Sequence, residues 1–379
     1  MDKKLKILFV GSDQSGPNYH VQFLPLQYFS KYDLLQGKLV YSLDQMVAAD
    51  ADMVVFQRQY IPEVIMYVRK AKQQGKVIVS NIDDDVWHLP SSNPARQVYT
   101  GPVLARYEQI IKEVHATTTS TPYLKKLTLS FNPICYVERN LVEPFYNEFV
   151  SPGRDKNDEN NIRIGYHSTP HHHDDYLLIE NTIERITNKY PQVKWIFMGY
   201  KVPILNKLPR NRWEYYEFIP VDAFYPALAS LDFDLGIAPL VDNQFNWGKT
   251  GRKAQEYAVL GVPMVLSPIS TYSNWETNKT CLKPKTNDTD GWVSALSYMI
   301  ENKEKREELA RAAYYYVLEN HDINLWIKEH SAIFYTIYNN VTGSNLAIPG
   351  YEDNPPDFSL AEKVQNIEIA NQLYTERNK

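Results

Sequence analysis

The residues best suited to chemistry in this sequence lie between positions 238 and 263. Lys253 and Glu256 follow Lys249 by four and seven residues, behind a stretch rich in Asn and Gly. We expect a helix from Lys249 to Leu260 on which these three side chains share one polar face. Two ammonium groups at a helix N-terminus would favour a diphosphate, and a carboxylate one turn deeper can accept hydrogen bonds from sugar hydroxyls. The alternative is a solvated face with a Lys–Glu pair, but the Gly and Asn residues favour the anion site.

A second polar segment begins at the end of a predicted strand. His167 and Ser168 open a run of hydroxyl and imidazole side chains that includes three consecutive histidines at 171–173. Consecutive histidines cannot all face one metal ion from a regular helix, so a zinc site is not expected. We expect a loop that faces a ligand and leads into a helix capped by Asp174 or Asp175. The alternative is a solvated loop.

A third segment is acidic. Asp83, Asp84 and Asp85 are consecutive after another predicted strand, and His88 follows them. Three carboxylates at one strand end repel each other unless a metal, a hydroxyl-rich ligand or a basic partner compensates them. One of them could then act as a base with a raised pKa. The alternative is a helix N-cap with acidic residues in the first turn.

The loop after the first strand, residues 11–17, consists mainly of small residues and includes Ser15 and Gly16. Such a loop lets backbone N–H groups approach an anion. It matches neither the dinucleotide-binding fingerprint nor the P-loop. Considered alone, it is best interpreted as an ordinary turn between a strand and a helix.

The elements that must position these segments follow from the hydrophobic pattern. Short apolar runs alternate with helical or polar stretches, which is typical of a parallel sheet covered on both faces. We predict strands at 7–10, 53–56, 77–79, 116–119, 162–166, 193–198, 235–238 and 263–266, helices at 62–74, 122–129, 176–190, 301–320 and 324–339, and a polar linker at 151–161.

This alternation predicts an α/β protein with two doubly wound, Rossmann-like domains. The first spans residues 1–150 and the second 162–320, and residues 321–379 form C-terminal helices and a tail. Ligands of such domains bind at the carboxyl ends of the strands, so we expect a central cleft between the domains to hold the site.

Composition excludes several classes of protein. The 379 residues include 40 Lys and Arg against 45 Asp and Glu, a net charge of −5, which argues against a general nucleic-acid binder. The two cysteines, Cys135 and Cys281, are too few for a disulfide framework, and we expect both to be buried thiols. No apolar run has the length of a signal-peptide core or a membrane span, so we expect a cytoplasmic location.

Three of these segments resemble the GT-B glycosyltransferases, specifically the group 1 (family 4, glycogen-synthase-like) enzymes of bacteria and phages. Residues 238–263 resemble the donor-binding signature of that family, and residues 165–175 resemble the loop that opens its C-terminal domain. Gln57 and Arg58, together with residues 82–85, are similar to the N-terminal half of members involved in polysaccharide or glycoconjugate synthesis. The resemblance covers residues 5 to about 340.

The resemblance implies a nucleotide-sugar donor in the C-terminal domain and an acceptor in the N-terminal domain. It assigns Lys249 and Lys253 to the diphosphate and Glu256 to the ribose. The full set of implied donor-binding residues is Gly16, His167, Ser168, Asn246, Lys249, Thr250, Lys253 and Glu256. On the acceptor side, Ser15 and Arg58 would hold an acceptor or phosphate group, and Asp84, Asp85 and His88 would orient or deprotonate the acceptor hydroxyl as catalytic residues.

The sequence departs from the family pattern at one position. The family often has two glutamates separated by seven residues, and the position eight before Glu256 is Gly248. The residue that would contact the donor sugar is therefore absent or replaced by Asn246. The implied C-terminal helix at 324–339 would cross back to the first domain.

The implied activity is transfer of a hexosyl or pentosyl group to a saccharide or glycoconjugate hydroxyl, with retention and without a bound metal or other cofactor. One alternative is a phage enzyme that glycosylates modified DNA bases, against which the negative net charge counts. Another is a metal-dependent transferase in which Asp83 and Asp85 form a DxD site. A third is a non-catalytic module that binds sugar nucleotides, suggested by the missing glutamate.

Overall fold

A computed structural model describes residues 3–11, 19–144, 160–220 and 223–351. Its N-terminal part contains six strands: β1 Lys6–Val10, β2 Gln36–Val40, β3 Met53–Gln57, β4 Val77–Ile82, β5 Ala116–Thr119 and β6 Cys135–Val137. They form one parallel sheet in the order β2-β1-β3-β4-β5-β6. The predicted doubly wound arrangement is confirmed for this half.

Helices cover both faces of this first sheet. They are α1 Leu24–Lys31, α2 Gln45–Ala48, α3 Glu63–Gln73, α4 Gly101–Glu113 and α5 Pro122–Thr128. Alternate residues of β1 enter different cores: Ile7 and Phe9 join one apolar cluster, whereas Leu8 and Val10 join another. A strand that is buried on both faces needs a continuous apolar run, which explains why this strand was predictable.

The C-terminal part contains a second parallel sheet of five strands. These are β7 Ile162–Ser168, β8 Val193–Gly199, β9 Trp213–Tyr216, β10 Leu235–Ala238 and β11 Met264–Leu266, in the order β11-β10-β7-β8-β9. The helices that follow β7 are α6 His173–Lys189, α7 Phe224–Ser230, α8 Gln244–Trp247, α9 Arg252–Val259 and α10 Thr289–Glu301. Trp195 and Phe197 of β8 pack on one face, and Ile196 and Met198 pack on the other.

The predicted helix start at Lys249 is wrong. α9 begins at Arg252 because Gly251, with φ of 67°, occupies the left-handed region that glycine adopts without steric cost. Lys249 therefore lies in the connection between α8 and α9. Lys249 and Lys253 do not occupy successive turns of one helix.

The chain returns to the first domain through two further helices, α11 Lys303–His321 and α12 Ile323–Thr342. The predicted helix 301–320 corresponds to α11, which begins two residues later because α10 ends at Glu301 and Asn302 separates the two helices. α12 packs on the first sheet, and its Phe334 is fully buried. The Tyr335 hydroxyl accepts a hydrogen bond from the Leu5 N–H at 3.1 Å.

Several predicted segments lie outside the described residues, namely most of the linker at 151–161 and the end of the tail, 352–379. The boundaries predicted for the domains therefore stay predictions. Both cysteines are buried thiols, as expected. Within the described ranges, no helix combines the length and apolar character needed to cross a bilayer.

Candidate functional site

A cavity of about 1340 Å³ lies between the carboxyl ends of the two parallel sheets. Both domains contribute to its wall. Arg58 follows β3 and Asp84 follows β4, while Ser168 ends β7 and Leu240 follows β10. Ligand pockets for drug-sized molecules span about 300–1,000 Å³, so this space can hold two substrates together.

The C-terminal wall carries most of the predicted donor-binding residues. Those that line the cavity are His167, Ser168, Lys249, Thr250, Lys253 and Glu256. Thr250 also joins the two domains, because its Oγ1 accepts a hydrogen bond from the Asn140 amide at 3.1 Å. The structure thus brings six of the eight predicted donor-side residues to one surface.

Lys249 and Lys253 give this wall a positive charge. The Lys249 ammonium lies 4.3 Å from the Phe245 ring centroid and 3.7 Å from Asp84 Oδ1 across the cleft. Burial lowers the pKa of Lys253 to about 8, and Lys249 adds to the shift by repulsion, whereas Asp175 and Glu256 oppose it. Lys253 is therefore mostly cationic at neutral pH and loses its charge in mild alkali.

Glu256 lies on the cavity wall and is held by protein partners. Its Oε2 is 2.7 Å from His167 Nε2, and its Oε1 is 3.4 Å from Arg252 Nε. Burial favours the protonated carboxyl, but the His167 hydrogen bond and the charges of Arg252 and Lys253 outweigh burial and lower the pKa of Glu256. An ionised Glu256 keeps lone pairs for a ligand hydroxyl.

On the N-terminal wall, Arg58 organises the acidic cluster. Its Nε lies 2.9 Å from Asp83 Oδ1, and its Nη1 lies 3.7 Å from Asp84 Oδ2. Arg58 has a φ of 45°, a strained conformation for a residue with a side chain. Burial raises the pKa of Asp83 against the opposing charge of Arg58. Arg58 is therefore the basic partner that the acidic cluster was expected to need, and it pairs with Asp83 and Asp84.

Within the part of the chain that the structure describes, three predicted site residues are not among those that line the cavity: Asp85, His88 and Asn246. Asp85 is fully buried, and its Oδ2 is 2.7 Å from His88 Nδ1 and 3.3 Å from the Tyr123 hydroxyl. Its Oδ1 accepts hydrogen bonds from two backbone N–H groups, those of Trp87 and His88. Asp85 therefore orders the turn after β4, and the acceptor-side role expected for Asp85 and His88 stays a prediction that this position does not support.

Asn246 is also held by the protein. Its amide donates to Asp175 Oδ1 at 3.0 Å and to the Val241 carbonyl at 2.8 Å. A side chain committed in this way orders the segment before α9, so its predicted contact with the donor sugar is not supported by its position. Ser15 and Gly16 lie outside the described residues.

The carboxylates of the proposed DxD site have different partners, Arg58 for Asp83 and His88 for Asp85. Among the residues that the structure describes, no three His, Cys, Asp or Glu side chains are grouped as a metal site would require. The arrangement therefore gives no support to the metal-dependent alternative.

Arg252 is a residue of this site that sequence reasoning missed. It donates hydrogen bonds to the Leu141 carbonyl, to His20 Nδ1 and to the Tyr225 hydroxyl, each at 2.7 Å. It therefore joins the second domain to two segments of the first, and it lines the cavity. Its neighbour Lys253 was predicted from its spacing relative to Lys249 and Glu256. The partners of Arg252 are remote in sequence, so no local pattern indicated its role.

No protein-family model matches the chain, and no curated protein matches it. Among solved structures, HepE from Anabaena in complex with UDP and glucose has a TM-score of 0.60 at 14% identity, covering 86% of this chain and 99% of that one. Sucrose-phosphate synthase from Thermosynechococcus elongatus has a TM-score of 0.63 at 11% identity, covering 89% and 100%. A Listeria monocytogenes protein assigned as a UDP-N-acetylglucosamine 2-epimerase has a TM-score of 0.55 at 10% identity, covering 90% and 98%. The chain therefore has the two-domain GT-B fold.

Proposed function

We propose that this GT-B protein is a glycosyltransferase that moves a hexosyl or pentosyl group from a nucleotide-sugar donor to a hydroxyl of a saccharide or glycoconjugate. The observation that carries the proposal is the cavity wall formed by Lys249, Lys253 and Glu256, which faces Asp84 and Arg58 across the cleft. The fold alone does not decide between transfer and other sugar-nucleotide reactions, because function lies in the site.

On the donor side, Lys249 and Lys253 bind the diphosphate. Negative charge grows on the leaving nucleoside diphosphate as the glycosidic bond breaks, and two fixed ammonium groups stabilise that charge. Glu256 accepts hydrogen bonds from the ribose hydroxyls, and its ionised state suits this role. His167 holds the carboxylate in place through the 2.7 Å contact.

On the acceptor side, Asp84 orients the incoming hydroxyl and takes its proton. The distance of 3.7 Å between Asp84 Oδ1 and Lys249 Nζ supports an acceptor-binding group next to the diphosphate-binding group. Arg58 keeps Asp84 in position and contributes a positive charge for an anionic part of the acceptor. Retention of anomeric configuration and independence from metal ions are part of the proposal, testable by proton NMR of the product and by activity in EDTA.

The first experiment measures thermal unfolding with a panel of nucleoside diphosphates and sugar nucleotides. A ligand that binds only the native state raises its stability, by about 2.7 kcal/mol at one hundred times the dissociation constant. We expect one nucleotide to raise Tm by several degrees in the wild type and much less in Lys249→Ala and Lys253→Ala. Lys279→Ala is the matched control, because that lysine is 71% exposed and paired with Glu276.

If no nucleotide shifts Tm, or if both lysine variants respond like the wild type, the donor assignment is wrong. Once the nucleotide is known, its sugar conjugates are incubated with candidate acceptors. If release of nucleoside diphosphate depends on a saccharide acceptor, the result supports transfer to a saccharide. If release depends on modified DNA, the result supports the phage alternative. Isomerisation of the donor without release of nucleoside diphosphate contradicts both.

A further inference from the structure

Asp175, His172 and Lys253 form a chain of hydrogen bonds, of which the proposed function uses only Lys253. Asp175 lies in the first turn of α6 and is 4% exposed. Its Oδ1 accepts hydrogen bonds from the Val241 N–H at 2.7 Å and from the Asn246 amide at 3.0 Å. The other oxygen, Oδ2, lies 2.7 Å from Nδ1 of His172. Two segments outside α6 therefore fix the orientation of this carboxylate.

The charge state of Asp175 fixes the tautomer of His172. Burial opposes ionisation of Asp175, but the contact with His172, the Val241 N–H and the charge of Lys253 outweigh burial and lower its pKa. Burial and the charge of Lys253 also lower the pKa of His172, to about 3, so the imidazole is neutral. A neutral imidazole next to a carboxylate carries its proton on Nδ1, and its Nε2 is then an acceptor.

Nε2 of His172 lies 3.1 Å from the Lys253 ammonium. An ammonium group has three N–H bonds and accepts none, so the acceptor nitrogen of His172 takes one of them. Lys253 also lines the cavity, which leaves its other N–H bonds for a ligand there. The chain therefore begins at a buried carboxylate and ends at the cavity.

We propose that His172 and Asp175 are positioning residues that hold the Lys253 ammonium at the cavity wall for the diphosphate of the donor. This inference rests on the proposed function, because it needs an anionic ligand at Lys253. A freely rotating lysine would lose side-chain entropy on binding, whereas a lysine already fixed by His172 has met part of that cost.

Other charged groups also face Lys253. They are Lys249 from the connection before α9, Glu256 from the next turn of α9 and Asp175 from α6. The two carboxylates balance the two ammonium groups within this cluster, but both lysines line the cavity whereas Asp175 lies behind its wall. The orientation of the ammonium, which His172 sets, then decides how well the wall receives a diphosphate.

Asp175→Asn tests the chain with almost no change of shape. The Oδ1 position receives two N–H groups, so an asparagine must place its carbonyl oxygen there and turn its NH₂ group toward His172. Nδ1 would then accept, the proton would move to Nε2, and two donors would face each other at Lys253. His172→Gln provides the opposite case, because a glutamine can donate to Asp175 and accept from Lys253.

The probe is pyrophosphate, measured by calorimetry between pH 6.5 and 9, with Lys253→Ala as the reference and His173→Leu as the matched control. His173 is adjacent in sequence, and its Nδ1 contacts the Tyr200 hydroxyl at 2.7 Å instead of Lys253. We expect Asp175→Asn to weaken binding about tenfold with Tm nearly unchanged, and His172→Gln to stay within about threefold of the wild type. Because pyrophosphate ionises equally for all variants, differences between their pH profiles report on the protein.

The wild type should bind pyrophosphate more tightly than Lys253→Ala does. The ratio of the two affinities should fall as pH rises through about 8, where Lys253 loses its proton. In Asp175→Asn that fall should occur at lower pH, because the ammonium loses both a negative neighbour and its acceptor. If Asp175→Asn does not fold, His172→Leu compared with His172→Gln gives the same test.

The outcomes separate the two proposals. One outcome overturns the positioning role and leaves the donor site intact. In that outcome the wild type binds pyrophosphate, Lys253→Ala does not, and Asp175→Asn binds as tightly as the wild type. Equal losses of pyrophosphate affinity in His172→Gln and Asp175→Asn also overturn the positioning role, because a purely structural contact would then explain both losses. Absence of pyrophosphate and nucleotide binding in the wild type contradicts the proposed function itself.

Discussion

At the scale of single residues, the interior contains an acid and a base held in their neutral forms. Glu138 follows β6 and His330 lies on α12, with 3.5 Å between Glu138 Oε1 and His330 Nδ1. Burial raises the pKa of Glu138 to about 7, although hydrogen bonds from Thr118 and Asn81 oppose the shift. Burial, assisted by the charge of Arg139, lowers the pKa of His330 to about 3. In mild acid neither group is charged, so the fold avoids the larger cost of burying a charge.

Glu138→Gln should remove a pH dependence of stability. The folded-state pKa of Glu138 is raised, so its contribution is fully present below the ordinary carboxyl pKa and is lost as pH rises through about 7. Relative to the variant, the wild type should lose about 3 kcal/mol of unfolding free energy between pH 4.5 and pH 8. Urea unfolding of both proteins at four pH values measures this difference, since the His330 contribution is common to both. Two parallel curves would show that Glu138 is not buried as described.

Residue type and position after a strand were sufficient to find part of the cavity wall. Lys249, Lys253 and His167 each combine a functional group with a predicted strand end or helix start, and all three line the cavity. The partners of these groups were not predictable, because packing selects them across long sequence distances. The His172–Asp175 spacing of three residues was visible, but their link to Lys253 joins residues 81 positions apart.

At the scale of elements, two glycines mark the ends of α9. Gly251 precedes the helix with φ of 67°, and Gly261 follows it with φ of 66°. A Cβ added at Gly251 would lie 3.2 Å from the Thr271 carbonyl oxygen, whereas a Cβ at Gly261 would meet nothing within 4 Å. The two positions share backbone strain and differ in their surroundings.

Gly251→Ala and Gly261→Ala should each lower the unfolding free energy by about 1–2 kcal/mol through that strain. Only Gly251→Ala should also weaken nucleotide binding, since Gly251 lines the cavity between Lys249 and Lys253. Thermal unfolding with and without the nucleotide identified above compares the two variants. Equal ligand-induced shifts in both would contradict the assignment of this turn to the donor site.

Two of the strands that escaped prediction have a common physical character. β2 is mostly exposed and β9 only partly buried, and both lie at sheet edges. Edge strands carry polar residues and lack the apolar runs that identified β1 or β8. The start of α9 was misplaced for a different reason, because the pattern of charges extended past a glycine whose backbone conformation is set by the fold.

At the scale of the whole molecule, α12 joins the end of the chain to its beginning. It follows the second domain in sequence, yet its apolar face completes the core of the first. Phe334 lies 5.8 Å from the Phe9 ring and 6.1 Å from the Phe29 ring, both in edge-on contact. The first domain therefore depends on residues beyond position 320 for its stability.

Phe334→Ala should lower the unfolding free energy by about 3–5 kcal/mol, because it opens a cavity between α12, α1 and β1. Leu325→Ala is the matched control on the same helix, since Leu325 is 62% exposed, and its effect should stay within about 0.5 kcal/mol. Chemical unfolding followed by circular dichroism compares the two. Similar stabilities would mean that α12 does not pack on the first sheet.

The hydrogen bond between Leu5 and Tyr335 spans 330 positions. A ribosome adds about 5–20 residues per second, so the first sheet waits roughly 10–40 seconds after its own strands have been synthesised before its last covering helix exists. During that interval the second domain can complete its core from its own residues, whereas the first exposes apolar side chains. Nascent chains of this protein should therefore need protection at their N-terminal half until synthesis is nearly finished.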